Sequence, residues 1–215
     1  MAHSSLRAVQ SSFIAALRRS HSLSSSAHAW AAGPAPGGAR PIPAHHEDVI
    51  TESAFLRAFA AWESFLEEAF ILYSLGKTSP KGKQPKRCTL PPNRASAKKW
   101  LIPEGRRFSK WSAPSEVITR SARFFLTGDP FSATLRSNQT TLEEIARIRN
   151  AIAHSTTSAA DNFQGLVRDK LGSLPQDITV GKFLATMIPG SHPPESFFEC
   201  YLREMESAAK NIIRL

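Results

Sequence analysis

Residues 48–76, DVITESAFLRAFAAWESFLEEAFILYSLG, form the longest periodic stretch of the chain and decide its fold class. Large apolar side chains recur there at intervals of three, four and seven residues, at Phe55, Phe59, Trp62, Leu66 and Tyr73. That spacing puts them on one face of an α-helix, and Gly76 is a typical residue at which such a helix ends. The stretch therefore predicts a long helix that buries its aromatic face in the protein core.

Shorter segments elsewhere show the same helical periodicity. The predicted segments are residues 96–101, 114–126, 162–172, 179–190 and 193–215, together with a helix that begins near Thr140. Residues 179–190 fit a helix or a strand, and a helix is the preferred interpretation. No hairpin signal separates alternating apolar runs, so strands are not expected. The sequence predicts an all-α protein, a bundle of about five to seven helices.

Two of these helices carry more detailed expectations. The residues of 114–126 expected to face inward are Val117, Ile118, Ala122, Phe125 and Leu126. Thr140 and Glu143 have the spacing of a capping box, in which side chains at the start of a helix satisfy its free backbone N–H groups. Thr141 and Glu144 offer a second register for the same start.

Composition divides the chain at residue 46. Residues 1–46 contain no acidic residue and combine a weak helical stripe, Leu6, Val9, Phe13 and Leu17, with the linker AAGPAPGGARPIP. We expect an N-terminal helix and linker there, and a targeting segment is the alternative because its composition also fits a transit peptide. Residues 47–215 are expected to form the helical domain, with a basic loop insertion at 77–115.

Charge is concentrated in one part of the chain. The 215 residues carry a net charge of +9, yet residues 77–123 alone hold thirteen Lys or Arg residues against Glu104 and Glu116. Such a cluster is typical of a surface that meets a polyanion, although a solvated surface that keeps the protein in solution has the same composition. An acidic protein partner would also complement this positive charge.

The remaining bulk features favour an intracellular protein without a membrane span. No apolar run approaches the roughly 20 residues that cross a bilayer. Cys88 and Cys200 have neither metal-ligand spacing nor the pattern of a disulfide framework. We expect a cytoplasmic location, or an organellar one if residues 1–46 are a transit peptide.

Within the basic region, residues 102–116, IPEGRRFSKWSAPSE, mix cations with aromatic rings. Phosphates pair with Arg and Lys, and bases stack on aromatic rings, so this mixture suits single-stranded RNA. The candidate RNA-binding residues are Lys98, Lys99, Arg106, Arg107, Lys110 and Trp111. For Trp100 or Trp111 taken alone, anchoring of the loop on the core is the preferred interpretation.

Residues 147–155, RIRNAIAHS, place a cation and an imidazole close together in sequence. A histidine can accept or give a proton near neutral pH, and an arginine fits phosphate oxygens. Such a pair suits RNA cleavage by the RNA's own 2′-hydroxyl, without metal or cofactor. Arg149 and His154 are about 140° apart on an ideal helix, so they meet only if the backbone loosens near His154 or a second chain contributes. A histidine that interacts with the helix C-terminus is the structural alternative.

The six residues Arg149–His154, RNAIAH, resemble the hallmark motif of the HEPN superfamily, with Asn150 in its polar position. The earlier segment 55–70, FLRAFAAWESFLEEAF, is similar to the helix that precedes this motif. There is also some similarity to the branch with RiboL-PSP-HEPN domains. Over residues 47–215 the resemblance is limited to a similar arrangement of helices. Only the six-residue motif is a specific match.

The resemblance implies a homodimeric, metal-independent endoribonuclease of toxin or phage-defence type, in which the Arg and the His of the motif meet in a cleft at the dimer interface. It also implies an antitoxin as a possible partner. It implies that Arg149 holds the scissile phosphate, His154 transfers protons, Asn150 supports the site and Glu63 orients a cation. Arg147 competes with Arg149, and only the motif favours Arg149. The alternatives are a non-catalytic HEPN module that binds RNA or a protein, and a helical protein whose basic loop meets an acidic partner.

Overall fold

The computed structural model describes residues 5–33, 43–105, 107 and 109–215, and over these residues the protein is all-α. Nine helices lie in the described residues, two more than the upper limit that the sequence predicts. They are α1 Leu6–Ala32, α2 Ala44–Ser74, α3 Arg94–Leu101, α4 Pro114–Phe124, α5 Phe131–Ser137, α6 Gln139–Ala153, α7 Thr157–Leu171, α8 Val180–Ala185 and α9 Phe197–Arg214. None of the described helices is long and apolar enough to cross a lipid bilayer.

Two compact units divide the chain. Unit 1 consists of the described residues up to Ala15, Ala61–Glu143 and Glu204–Leu215, and unit 2 consists of Ala16–Ala60 and Glu144–Arg203. Both units include part of α1, so this division differs from the boundary at residue 46 that composition suggests.

Unit 1 is built around an aromatic cluster on the second half of α2. The ring of Phe70 lies 4.9–5.6 Å, centroid to centroid, from the rings of Trp111, Phe124, Phe125 and Phe131. Aromatic pairs at such distances combine a large buried apolar area with favourable ring geometry. The predicted stripe of α2 is therefore confirmed as core, with every one of its five residues no more than 3% exposed.

Helix α1 is part of this core. Leu6, Val9, Phe13 and Leu17 are all buried, and the Phe13 ring lies 5.8 Å from Trp62 and 5.0 Å from Phe65. The expected N-terminal helix is confirmed, and its apolar stripe is used for packing. Most of the expected linker, residues 34–42, lies outside the described residues.

Unit 2 contains its own aromatic core. Phe183 of α8 stacks on Phe197 at 4.5 Å and meets Phe163 of α7 edge to face at 5.8 Å. Phe55 of α2 contacts Tyr201 of α9, with 6.4 Å between ring centroids. These contacts join α2, α7, α8 and α9, and α6 adds Ile145 and Ile148, which are fully buried.

The basic segment behaves as the sequence predicts. The chain from Lys77 to Asn93 has no helix, and α3 follows where a short helix is expected. Backbone hydrogen bonds hold this loop to the end of α4: the Cys88 N–H donates to the Phe124 oxygen at 2.8 Å, and the Leu126 N–H donates to the Lys86 oxygen at 2.8 Å. The loop is therefore anchored at its middle.

Several expectations about the helices are wrong. Helix α5 is missed, because seven residues between Pro130 and Asn138 are too few to show a period. Val117, Ile118 and Phe125 are buried as expected, but Ala122 and Leu126 are exposed. Helix α4 ends at Phe124 and buries Ser121 and Phe124 in addition. The capping boxes also fail, because α6 begins at Gln139 and so includes both threonines.

Candidate active site

The chain leaves α6 immediately before His154. Helix α6 ends at Ala153, and His154–Thr156 form a three-residue link to α7. Thr156 has an extended backbone, and its side-chain oxygen accepts a hydrogen bond from the Ala159 N–H at 3.3 Å. An N-cap residue needs this non-helical conformation, so the cap of α7 forces α6 to end upstream of it. His154 is thus the first residue after the end of α6.

Arg149 and His154 meet within one chain. Arg149 Nη1 lies 3.2 Å from His154 Nε2 and 3.1 Å from Asn150 Oδ1. A guanidinium only donates hydrogen bonds, so Nε2 accepts and the neutral imidazole carries its proton on Nδ1. The His154 N–H still donates to the Asn150 carbonyl oxygen at 3.0 Å, as it would in a helix. The two side chains therefore meet without the expected loosening of the backbone before His154, and this proximity does not require a second chain.

An aromatic ring supports the guanidinium. The Arg149 guanidinium carbon lies 5.9 Å from the centroid of the Phe59 ring, and Phe59 itself is 2% exposed. A cation at this distance from an aromatic face is attracted by the ring electrons. Arg149 is half-buried, while Asn150 and His154 are exposed. The pair therefore combines a supported cation with an imidazole that solvent and a ligand can reach.

A cleft of about 890 Å³ opens beside His154. Its walls are the link between α6 and α7, the first half of α7 and residues 174–180. Its lining also includes the buried Phe163 and the polar side chains of Asp161, Gln164 and Asp177. Binding clefts for small ligands commonly have this size and this mixture of apolar surface with a few polar groups.

A buried ionic contact fixes α7 and α9 against α6. Glu144 is 7% exposed, and its carboxylate lies 2.7 Å from Lys170 Nζ and accepts from the Tyr201 hydroxyl at 3.2 Å. Burial, together with the nearby Glu144 carboxylate, raises the pKa of Tyr201 above its ordinary value, so the hydroxyl keeps its proton and continues to donate. Since α6 and α7 flank the link, this contact helps to position His154.

The predicted catalytic residues do not all belong to one unit. Glu63 is half-buried and belongs to unit 1, whereas Arg149, Asn150 and His154 belong to unit 2. Among the described residues, no three His, Cys, Asp or Glu side chains form a possible metal site.

The predicted RNA-binding residues lie in unit 1. Lys98, Lys99, Arg107 and Lys110 are exposed, and Lys98 Nζ lies 3.2 Å from Glu67 Oε1. Arg106 lies outside the described residues.

Trp111 is a correction to the predicted RNA-binding set. It is 5% exposed, its ring meets Phe70, and the Arg120 guanidinium lies 4.4 Å from its centroid. Its ring is therefore inaccessible to a base, and Trp111 anchors the loop. Trp100, in contrast, is 42% exposed.

No protein-family model, curated protein or solved structure matches this chain. The site must therefore be interpreted from its own geometry. Sequence reasoning missed two of its parts, Phe59 under the guanidinium and the cleft beside His154. The aromatic stripe contains Phe59 but cannot distinguish it from the other core rings, and no spacing signal links α7 to residues 174–180.

Proposed function

We propose that the protein is a metal-independent endoribonuclease of HEPN type that uses the Arg149–His154 pair. The contact of 3.2 Å between Arg149 Nη1 and His154 Nε2 carries this proposal. It places a permanent cation and a group that can transfer protons within the space of one phosphate. This combination is what cleavage by an internal 2′-hydroxyl requires.

The geometry suggests how RNA starts the reaction. In the free protein, Arg149 occupies the Nε2 lone pair of His154, so the base is blocked. A phosphate attracts the guanidinium more strongly than a neutral imidazole does, because the two are oppositely charged. Binding of the phosphodiester would draw Arg149 to the phosphate oxygens and release Nε2.

The released Nε2 then takes the proton of the 2′-hydroxyl. The 2′-oxygen attacks phosphorus, and the bond from phosphorus to the 5′-oxygen breaks. Arg149 stabilises the negative charge on the phosphate oxygens, and the leaving 5′-oxygen takes a proton from water. The products are a 2′,3′-cyclic phosphate and a 5′-hydroxyl, and His154 returns its proton to the solvent.

The basic segment supports an RNA substrate. Lys77, Lys81, Lys83 and Lys86 on the loop, together with Lys99 on α3, are exposed. Cations along such a surface attract the RNA backbone irrespective of sequence, and they make binding weaker at higher salt. A toxin or defence role and an antitoxin partner depend on this activity and stay predictions.

The direct test is cleavage of single-stranded RNA in EDTA by the wild type, Arg149→Ala and His154→Ala. We expect each variant to lose about 10²-fold or more in rate. Arg147→Ala and His192→Ala are matched controls, since both residues are exposed and lie outside the pair. Equal cleavage by all variants, or complete loss of cleavage in EDTA, would contradict the proposal.

A mixing experiment distinguishes a site within one chain from one shared by two chains. If the protein is a homodimer and the pair acts within a chain, Arg149→Ala mixed with His154→Ala stays inactive. A site with arginine from one chain and histidine from the other would recover activity in mixed dimers. We expect no recovery, because the two side chains already meet in one chain.

The non-catalytic alternative is favoured by the exposed lysines of unit 1, which bind RNA without needing His154. It predicts salt-sensitive RNA binding by the wild type and His154→Ala alike, with no turnover by either. The same cleavage assay therefore separates the two functions.

A further inference from the structure

The cleft beside His154 is built differently from the rest of this basic protein. Two aspartates, Asp161 and Asp177, line it, together with the amides of Gln164 and Gln176. Among its described lining residues, none is lysine or arginine. The net charge of the whole chain is +9, so this surface is locally acidic within a basic molecule.

Two hydroxyls of the cleft are already engaged in its own structure. Thr156 caps α7, and Thr179 accepts from the Lys182 N–H at 3.1 Å while it donates to Asp48 Oδ2 at 2.9 Å. Lys182 Nζ also donates to the Asp177 carbonyl oxygen at 3.0 Å. These bonds involve neither the two aspartate carboxylates nor the glutamine amides of the lining, so these groups can contact a ligand, as can the hydroxyls of Ser155 and Thr157.

Such a cleft favours one part of a nucleotide over the others. A phosphate would be repelled by the two carboxylates, whereas Arg149 outside the cleft would attract it. A base is planar and neutral, so it can lie against the half-buried apolar side chains of Leu174, Ile178 and Val180, which line the cleft, and present its polar edge to the carboxylates. Carboxylates accept hydrogen bonds from exocyclic amino groups, as in the recognition of cytosine N4 by Asp or Glu.

We infer that the cleft binds the base of the nucleotide whose 2′-hydroxyl attacks, and that it prefers cytosine, adenine and guanine to uracil. The inference rests on the proposed function for the identity of that nucleotide. His154 both lines the cleft and takes the 2′-hydroxyl proton, so the base next to it belongs to the same ribose. Uracil has no exocyclic amino group, and its ring donor N3–H lies between two carbonyl oxygens that the carboxylate would repel.

The first test measures binding alone, so it does not depend on catalysis. 2′-Deoxycytidine and 2′-deoxyuridine are titrated into the full chain while the amide signals of Gln164 and Ile178 are followed by NMR. We expect 2′-deoxycytidine to shift these signals and 2′-deoxyuridine to bind about tenfold more weakly, as for the loss of one base contact. Asp161→Asn should remove the difference, because an amide both donates and accepts.

Asp169→Asn is the matched control, since Asp169 is exposed on the same helix and does not line the cleft. It should keep the wild-type preference. Absence of any shift at the cleft, or equal affinity of the wild type for both nucleosides, overturns the inference. An intact preference without RNA cleavage would instead overturn the proposed function and leave the base site in place.

The second test examines the products of RNA cleavage. The nucleotide that carries the 2′,3′-cyclic phosphate should be cytidine, adenosine or guanosine about tenfold more often than uridine. Asp161→Asn should raise the share of uridine without abolishing cleavage. A wild type that cleaves after all four bases equally would contradict the base site while confirming the nuclease.

Discussion

Gly181 in the second position of α8 offers the sharpest test of how the cleft is held. A Cβ at this position would lie 2.6 Å from the Asp48 Cα and 2.7 Å from the Asp48 carbonyl oxygen. Non-bonded carbon atoms prefer separations of about 3.5–4.0 Å, so α8 would have to move about 1 Å away from α2. The obstructing atoms belong to the backbone of a long helix and cannot rotate aside.

The cost can be worked out from what this movement disturbs. Gly181 N–H donates to Glu52 Oε1 at 3.0 Å, and Thr179 Oγ1 donates to Asp48 Oδ2 at 2.9 Å. Weakening two bonds to carboxylates at a partly exposed site costs about 1 kcal/mol each. Forced overpacking adds about 1–3 kcal/mol, while alanine regains about 0.5–1 kcal/mol of helix propensity. We expect Gly181→Ala to lower the free energy of unfolding by about 2–4.5 kcal/mol.

Gly165→Ala is the matched control, because Gly165 lies inside α7 with nothing within 4 Å of its added Cβ. This variant should gain about 0.5–1 kcal/mol. Urea unfolding followed by circular dichroism measures the change in the free energy of unfolding for both variants, whose m-values should equal that of the wild type. A Gly181→Ala variant as stable as Gly165→Ala would refute the proposed close contact between α8 and α2. The base preference of the cleft should also weaken, since Thr179 and Val180 line it.

Three further changes test the site and its support. Arg149→Lys should reduce the RNA cleavage rate about 10²-fold while RNA binding stays within a few-fold, because an ammonium lacks the planar fork that can bridge two acceptors. Burial raises the pKa of Glu52 and hydrogen bonds from Ser196 lower that of Glu199. Glu52 therefore makes its largest contribution to the free energy of unfolding below about pH 4.3, and this contribution falls as pH rises. The contribution of Glu199 rises with pH instead. In urea titrations, Glu52→Gln should become relatively more stable, and Glu199→Gln relatively less stable, as pH rises from 4 to 7. Lys170→Met should lower the free energy of unfolding by about 2 kcal/mol, because it leaves the Glu144 carboxylate buried without its cation; a loss below about 0.5 kcal/mol would mean that the pair behaves as an exposed one.

The helices could be predicted wherever an apolar stripe extended over several turns. The α9 residues Phe198, Tyr201, Met205 and Ile212 are buried as their spacing predicts, and so is the stripe of α2. Prediction failed where an element is too short to repeat. Helix α5 has seven residues, and α4 ends at Phe124, two residues before the end that its apolar pattern predicts, so Leu126 is exposed.

The candidate site was only partly predictable, for a geometric reason. Arg149, Asn150 and His154 could be chosen from sequence, but an ideal helix keeps the arginine and the histidine apart. Trp111, in contrast, was assigned to the RNA-binding surface wrongly. Its position among cations is typical of RNA contact, whereas its ring packs on Phe70 beneath Arg120. Composition cannot distinguish a ring that faces a ligand from one that anchors a loop.

The contact between Arg149 and His154 lies at the end of a helix. Helix α6 ends at Ala153, and the His154 N–H still donates to the Asn150 carbonyl oxygen at 3.0 Å, as it would in a helix. Residues five apart lie about 140° apart on an ideal helix, so the long Arg149 side chain must reach around α6 to bring Nη1 within 3.2 Å of His154 Nε2. His154–Thr156 also link α6 to α7, whose N-cap is Thr156, and this short link forms a wall of the acidic cleft. One short link therefore carries both the proton-transfer group and part of the surface on which we expect a base to bind.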